Sequence, residues 1–229
     1  MKCKEAMKTK DKPKWQKAVK EEHGNFTRCN VVQAVPKNEV PDDATIIGST
    51  WAMKKKPTGT HRARLNARGF EQIEGVHYDS KNISSPVVNE VTFRIALVIM
   101  LTFQMFADIL DVKSAFLHGE FENDEKIYVE VPEGFEDFYP ADVLLLLLKT
   151  MCGLKQAAFA FWRELLRAMR SILFERSGAD PCLYFRWTMH GLVIIISWID
   201  DLLIIGYKEN IKNTKKKSCE DWTVKMGEN

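Results

Sequence analysis

Two neighbouring carboxylates, Asp200 and Asp201, interrupt a run from Leu192 to Ile205 that is otherwise apolar but for Ser197. Adjacent acids repel one another and lose hydration when they sit beside buried strands. The pattern therefore fits a strand, a break and a second strand, with the acids at the break. It does not fit a membrane span, which needs about 20 apolar residues and tolerates a central carboxylate pair only at high cost. Two readings of the pair remain open. The acids form a solvated turn that discourages edge-to-edge pairing of strands, or they supply the oxygen ligands that hard divalent cations such as Mg²⁺ prefer.

A third acid, Asp111, ends another short apolar run, Ile109-Leu110, and Phe116 follows it by five positions. A two-metal nucleotidyl transferase draws its carboxylates from separate strands, with the metals roughly 3.5–4 Å apart. The spacing of Asp111 and Asp200 permits this arrangement without requiring it.

Composition sets the class. In 229 residues, 45% are hydrophobic and 28% charged, which excludes a wholly disordered chain, a collagen-like fibre and a disulfide-stapled miniprotein. Five scattered cysteines with no C-x-x-C pair indicate neither a disulfide framework nor a zinc knuckle, and suit a reducing intracellular compartment. The lysine-rich start lacks the apolar core of a secretory signal. Net charge is only +2, but its distribution is uneven. Residues 1–20 carry eight lysines against Glu5 and Asp11, residues 51–70 carry six basic side chains and no acid, and residues 120–142 carry nine acids against Lys126. A surface so divided can turn one region toward a polyanion, or simply be solvated.

The sequence suggests a short basic helix over 15–22 and two short strands between 51 and 70 joined at Pro57-Thr58-Gly59-Thr60, a turn by composition. A helix capped by Asn89 is expected to reach about residue 103, apolar all round its middle and therefore buried. Strands are expected over 127–131 and over the leucine run 143–149. Residues 107–112 fit a buried strand or a helix end. The clearest helix is 156–175, with Phe161, Leu165, Ala168, Met169 and Ile172 on one stripe. Strands over 182–187 and 192–199 turn at His190-Gly191, and a second hairpin closes on 202–205. The lysine-rich stretch after Tyr207 shows no periodicity. Antiparallel hairpins mixed with packed helices argue an α+β fold.

Taken in order, these segments resemble the reverse transcriptase domain of copia-type LTR retrotransposon polyproteins. Trp51-Ala52-Met53-Lys54 and the stretch from Arg62 through Gln72 are similar to the basic fingers hairpin. Ser85-Pro86-Val87 is similar to the family's Ser-Pro-Val, and the stretch from Leu110 through Gly119 to its first catalytic motif. Ile127-Tyr128-Val129 with Pro132-Glu133-Gly134-Phe135 is a further segment. Gly153-Leu154-Lys155-Gln156 resembles the template–nucleotide motif, and Trp198-Ile199-Asp200-Asp201 stands where Tyr-Val-Asp-Asp is usual.

The resemblance implies a right-hand polymerase with fingers and palm, an antiparallel palm sheet packed on helices, and no thumb in this chain. It divides the sequence into a basic segment (1–20), a fingers-like region (21–105), a palm (106–206) and a truncated tail (207–229), in which residues 222–228 faintly resemble the next family segment. Asp111, Asp200 and Asp201 match the catalytic acids that ligate Mg²⁺, or alternatively Mn²⁺. Phe116 matches the aromatic gate that clashes with a ribose 2′-hydroxyl, and Gln156 matches a residue near the sugar of the incoming nucleotide. Lys54, Arg62 and Arg64 are the candidates to clamp its triphosphate. The implied partners are an RNA or DNA template with its primer and deoxynucleoside triphosphates, with no membrane. Thumb and ribonuclease H regions would belong to a longer polyprotein, intracellular and cytoplasmic, associated with a particle. Two other classes compete. A non-catalytic nucleic-acid-binding remnant would keep the basic hairpin without the chemistry, and an RNA-templated RNA polymerase is disfavoured by the bulk of Phe116.

Overall fold

A computed structural model describes residues 2–122 and 126–221, the side chains of 217–221 excepted. The chain opens with α1 (Cys3–Ala6), α2 (Lys12–Arg28), β1 (Val32–Pro36), β2 (Ile46–Ile47), β3 (Ser49–Lys55) and β4 (His61–Ala67). It continues with α3 (Glu90–Thr102), β5 (Phe106–Asp111), β6 (Tyr128–Glu130), β7 (Val143–Leu147) and α4 (Ala157–Ser171). Last come β8 (Glu175–Arg176), β9 (Leu183–Thr188), β10 (Gly191–Trp198), β11 (Asp201–Gly206) and α5 (Lys208–Asp221). Mixed helices and largely antiparallel sheets agree with the α+β expectation. No helix among the described residues is long and apolar enough to cross a membrane.

The chain forms two compact units, each made of two stretches: residues 1–84 with 116–161, and residues 85–115 with 162–229. In the first unit, α2 places Trp15, Ala18, Val19 and Phe26 on one stripe, and these pack with Ile47, Leu65, Phe135 and Leu147. Full burial of each large side chain stabilises by about 2–3 kcal/mol. The helix is twice the length expected, because Pro13 starts it early and polar residues extend it past Glu22 without breaking it. The leucine run becomes β7, which lies between β1 and β6 in a four-stranded sheet that ends at β2. β3 and β4 form a separate two-stranded sheet whose turn places Gly59 at φ +85°, as the turn composition required.

In the second unit, five strands run in the order β5-β11-β10-β9-β8, all paired antiparallel. α3 starts where expected, with the Asn89 side chain accepting from the Val91 N–H. The expectation that its middle is buried fails. Phe93, Ala96, Ile99 and Met100 face the core, whereas Val91, Ile95, Val98 and Leu101 are exposed. Hydropathy all round a helix cannot say which stripe the sheet will cover.

α4 buries Phe161, Leu165, Met169 and Ile172 as read, but ends at Ser171. Leu173 takes φ +66°, its N–H bonds the Arg170 carbonyl, and the Phe174 N–H reaches back to Met169. This is a Schellman closure made without glycine. Asn30 after α2 and Gln104 after α3 close in the same way, at φ +51° and +52°. The stretch after Tyr207, read as aperiodic, is the helix α5. Polar side chains anchor it: buried Asn210 meets Thr188 and the His190 carbonyl, and buried Thr214 meets Arg186. Residues 222–228, likened to a further family segment, lie outside the described residues.

Candidate active site

β10 and β11 are joined by only two residues, Ile199 and Asp200, since Trp198 pairs with Asp201. Ile199 adopts φ +56°, a left-handed conformation that a β-branched residue enters at a cost of about 1–3 kcal/mol. The turn is held from the side by the Val112 N–H, which donates to the Asp200 carbonyl at 2.9 Å. Of the two acids expected at the tip, Asp200 is there and Asp201 is the first residue of β11. Asp201 stands opposite Asp111 of β5 in antiparallel register. Opposed side chains share a face of the sheet, with Cβ atoms about 4.5–5.5 Å apart.

The electrostatics follow from this placement. Partial desolvation, then the charges of Asp200 and Asp111, push the Asp201 carboxyl above its ordinary range. Asp111, Asp200 and Asp201 together offer the kind of oxygen donors that a hard divalent cation takes. Among the described residues, no three His, Cys, Asp or Glu side chains already converge as a finished ligand cluster. The donor chemistry fits a metal, and closure of the ligand shell would be left to the ion and its other ligands. Beside the turn, Trp198 leaves 56% of its surface exposed, a broad ring next to the acids.

The three acids belong to the second unit, and the five expected nucleotide-side residues belong to the first. On the β3–β4 hairpin, Lys54 pairs directly with Arg62, and Ala52 with Arg64. The three cations therefore share one face, although like charges set opposite one another are destabilising. Beneath them Glu22 of α2 accepts from the Leu65 N–H at 3.2 Å and from Asn25. Burial raises the Glu22 pKa, while Asn25, the Leu65 amide, Arg64 and Arg62 pull it back. The hairpin is thus braced by a carboxylate that also tempers its charge.

Phe116 is half-buried, with its ring edge-on to Phe161 at 6.4 Å and its carbonyl bonded by the Thr150 hydroxyl. Gln156 is almost fully buried. Its Nε2 donates to the His77 carbonyl at 2.7 Å, and its Oε1 accepts from Gln72 Nε2 at 2.9 Å. Gln72 Oε1 in turn accepts from the Lys155 N–H at 2.8 Å, and Lys155 Nζ donates to the Tyr78 hydroxyl. Sequence reading singled out Gln156 and missed Gln72, His77 and Tyr78 as its neighbours, because nothing local links positions some 80 residues apart. Burial also holds the His77 pKa below its usual value.

With the sheet, its acids and the basic hairpin in view, the comparison with known proteins is direct. This chain belongs to the reverse transcriptase (RNA-dependent DNA polymerase) family, whose model matches residues 31–226. It is the kind of domain carried by the Pol polyproteins of copia-type retrotransposons. It is 34% identical over 209 residues to the retrovirus-related Pol polyprotein from transposon TNT 1-94 of Nicotiana tabacum, a match covering 89% of this chain and 15% of that polyprotein. The Pol polyprotein from transposon RE1 of Arabidopsis thaliana is 31% identical, with 81% and 13% covered. The Ty1-LR2 Gag-Pol polyprotein of Saccharomyces cerevisiae is 28% identical, with 82% and 10% covered. The chain thus spans a small part of the length of these curated relatives.

Proposed function

We propose that this chain is the RNA-directed DNA polymerase domain of a retrotransposon, extending a primer by adding deoxynucleotides along an RNA or DNA template. The observation that carries the reading is the pairing of Asp111 with Asp201, with Asp200 bonded through its carbonyl to the residue after Asp111. In this reading the β3–β4 hairpin belongs to the fingers and the five-stranded sheet is the palm.

Asp111 and Asp200, with Asp201 as the third acid, would hold Mg²⁺ or Mn²⁺. When bound, such ions would supply Lewis acidity toward the primer 3′-hydroxyl and charge neutralisation for the departing pyrophosphate. The hydroxyl oxygen gives up its proton to solvent and forms its bond to the α-phosphorus as the bond from that phosphorus to the pyrophosphate oxygen breaks. Lys54, Arg62 and Arg64 donate to triphosphate oxygens, interactions that strengthen as charge develops there. Phe116 rejects a 2′-hydroxyl by clash, and Gln156 serves the sugar side of the nucleotide. The cytoplasm, within an element particle, is the setting such a domain implies.

Primer extension tests the reading. Extension that requires Mg²⁺ and is lost in Asp200→Asn and Asp111→Asn, with template–primer binding retained, supports it. Template–primer binding that survives chelation, with no nucleotide added under any condition, supports a non-catalytic nucleic-acid-binding protein instead. Extension unaffected by either substitution overturns the assignment of the acids.

A further inference from the structure

The segment before α4 is pressed onto the end of the basic hairpin. The Ala67 N–H donates to the Cys152 carbonyl at 2.8 Å. A Cβ on Gly153, which has φ +93°, would meet the Ala67 carbonyl oxygen at 2.2 Å, and one on Gly69 would meet the Gly153 oxygen at 2.1 Å. Two glycines facing each other allow a backbone approach that no other residue permits. Just beyond this contact lies Gln72, itself only 5% exposed. Its side chain leaves the hairpin segment and reaches two groups of the facing loop at once, the Lys155 N–H and Gln156 Oε1.

A glutamine amide has one acceptor end and one donor end, and here each has a distinct job. The acceptor end fixes the backbone at Lys155. The donor end decides which way round the Gln156 amide points, because it requires an oxygen there and so turns the Gln156 nitrogen to the His77 carbonyl. We propose that Gln72 is a positioning residue for nucleotide binding, acting through Gln156 and coupling it to the hairpin that carries Lys54, Arg62 and Arg64. The inference rests on the polymerase reading of Gln156. With 6% of its surface exposed, Gln156 offers a nucleotide only the edge it is held to present. Holding that edge before the nucleotide arrives spares the ordering cost at binding.

The chemistry separates this role from simple packing. Gln72→Leu keeps much of the bulk and loses both bonds. Gln72→Glu keeps the acceptor for Lys155 but offers no donor to Gln156 unless its carboxyl is protonated. The test measures dTTP incorporation on a poly(rA)–oligo(dT) template–primer with Mg²⁺, for wild type, Gln72→Leu, Gln72→Glu, Gln156→Leu and the double leucine variant. Amide exchange at Lys155 is followed in parallel. Gln72→Leu is expected to raise KM for dTTP about tenfold while kcat changes by less than about twofold. Gln72→Glu raises KM at neutral pH, recovers as pH falls, and leaves the Lys155 amide protected. The double variant is no worse than the worse single one, as required of residues acting in series.

Normal wild-type incorporation with an unchanged KM in Gln72→Leu, or with multiplying effects in the double variant, overturns the proposal and leaves the polymerase reading standing. Unchanged Lys155 exchange in Gln72→Leu overturns the bracket itself. A wild-type chain that neither binds nor incorporates dTTP overturns both readings. If Gln72→Leu does not fold, Gln72→Glu decides through its pH dependence.

Discussion

Asp111 and Asp201 stand opposite one another on neighbouring antiparallel strands, on one face of the sheet, and Asp200 adjoins them at the turn. Like charges gathered in this way oppose one another, and under the proposed function a bound cation would relieve that repulsion. Mg²⁺ is therefore expected to raise the melting temperature beyond what matched NaCl does. Asp201→Asn should melt slightly higher than wild type without Mg²⁺ and gain less from its addition. Calorimetric scans at constant ionic strength check this. Equal gains in both proteins would show that the acids do not gather an ion.

The cross-strand pair Lys54–Arg62 makes a prediction of opposite signs. Relief of the like-charge contact should stabilise the ligand-free hairpin by about 0.2–1 kcal/mol in Lys54→Ala. The same change should weaken template–primer or triphosphate binding and flatten its salt dependence by about one counterion. Denaturant melts and binding isotherms across salt concentrations read the two effects separately. A variant weaker in both would assign Lys54 a packing role.

Phe116 contributes an edge contact to Phe161 as well as any selection of sugars. Phe116→Val is expected to cost about 1–2 kcal/mol of stability. In an actively extending protein it should also lower discrimination against ribonucleotides by at least about tenfold. Competition between rNTP and dNTP in primer extension measures the second quantity. Unchanged discrimination would leave Phe116 as a core aromatic.

His77 sets a pH limit on the loop that faces Gln156. Its Nδ1 accepts from the Ile73 N–H at 2.9 Å, which requires a lone pair and hence a neutral ring. Burial depresses the folded pKa below the ordinary 6.5, so the unfolded chain takes up the proton first. The stabilisation is complete above 6.5 and is lost as pH falls through 6.5 toward the lower folded value. Stability should decline over that window, and His77→Leu should start about 1 kcal/mol lower at pH 7 with a flatter slope. Chemical denaturation at a series of pH values, with NMR titration of His77, checks both.

What the sequence disclosed was local. The turn composition of Pro57-Thr58-Gly59-Thr60 identified the hairpin, Asn89 marked the start of α3, and the broken apolar run placed the acids between two strands. The ends of α2, α3 and α4 were harder to read, because Asn30, Gln104 and Leu173 enter the left-handed region where glycine is the usual signal. α5 was missed because buried Asn210 and Thr214, rather than an apolar stripe, seat it. The exposed stripe of α3 and the Gln72–Gln156 contact depend on which distant surfaces meet, and no local pattern encodes that. Of the candidate site, the acids and cations were legible by type, while the groups that hold Gln156, namely Gln72 and the His77 carbonyl, were not.

The strand order also gives the acidic pairing a place in time. β10 and β11 meet through a two-residue turn, so Asp200 and Asp201 come into position by a nearby encounter. β5 must close a loop of about 90 residues to bring Asp111 to them, an entropic cost met only once much of the intervening chain has ordered. Among the described residues β5 is the outermost strand of its sheet, with β11 beside it. The hairpin is expected to nucleate early and the third acid to arrive late. Chains delayed at that stage would carry folded secondary structure without the Asp111–Asp201 pairing, so burst-phase dichroism should precede amide protection in β5 on refolding.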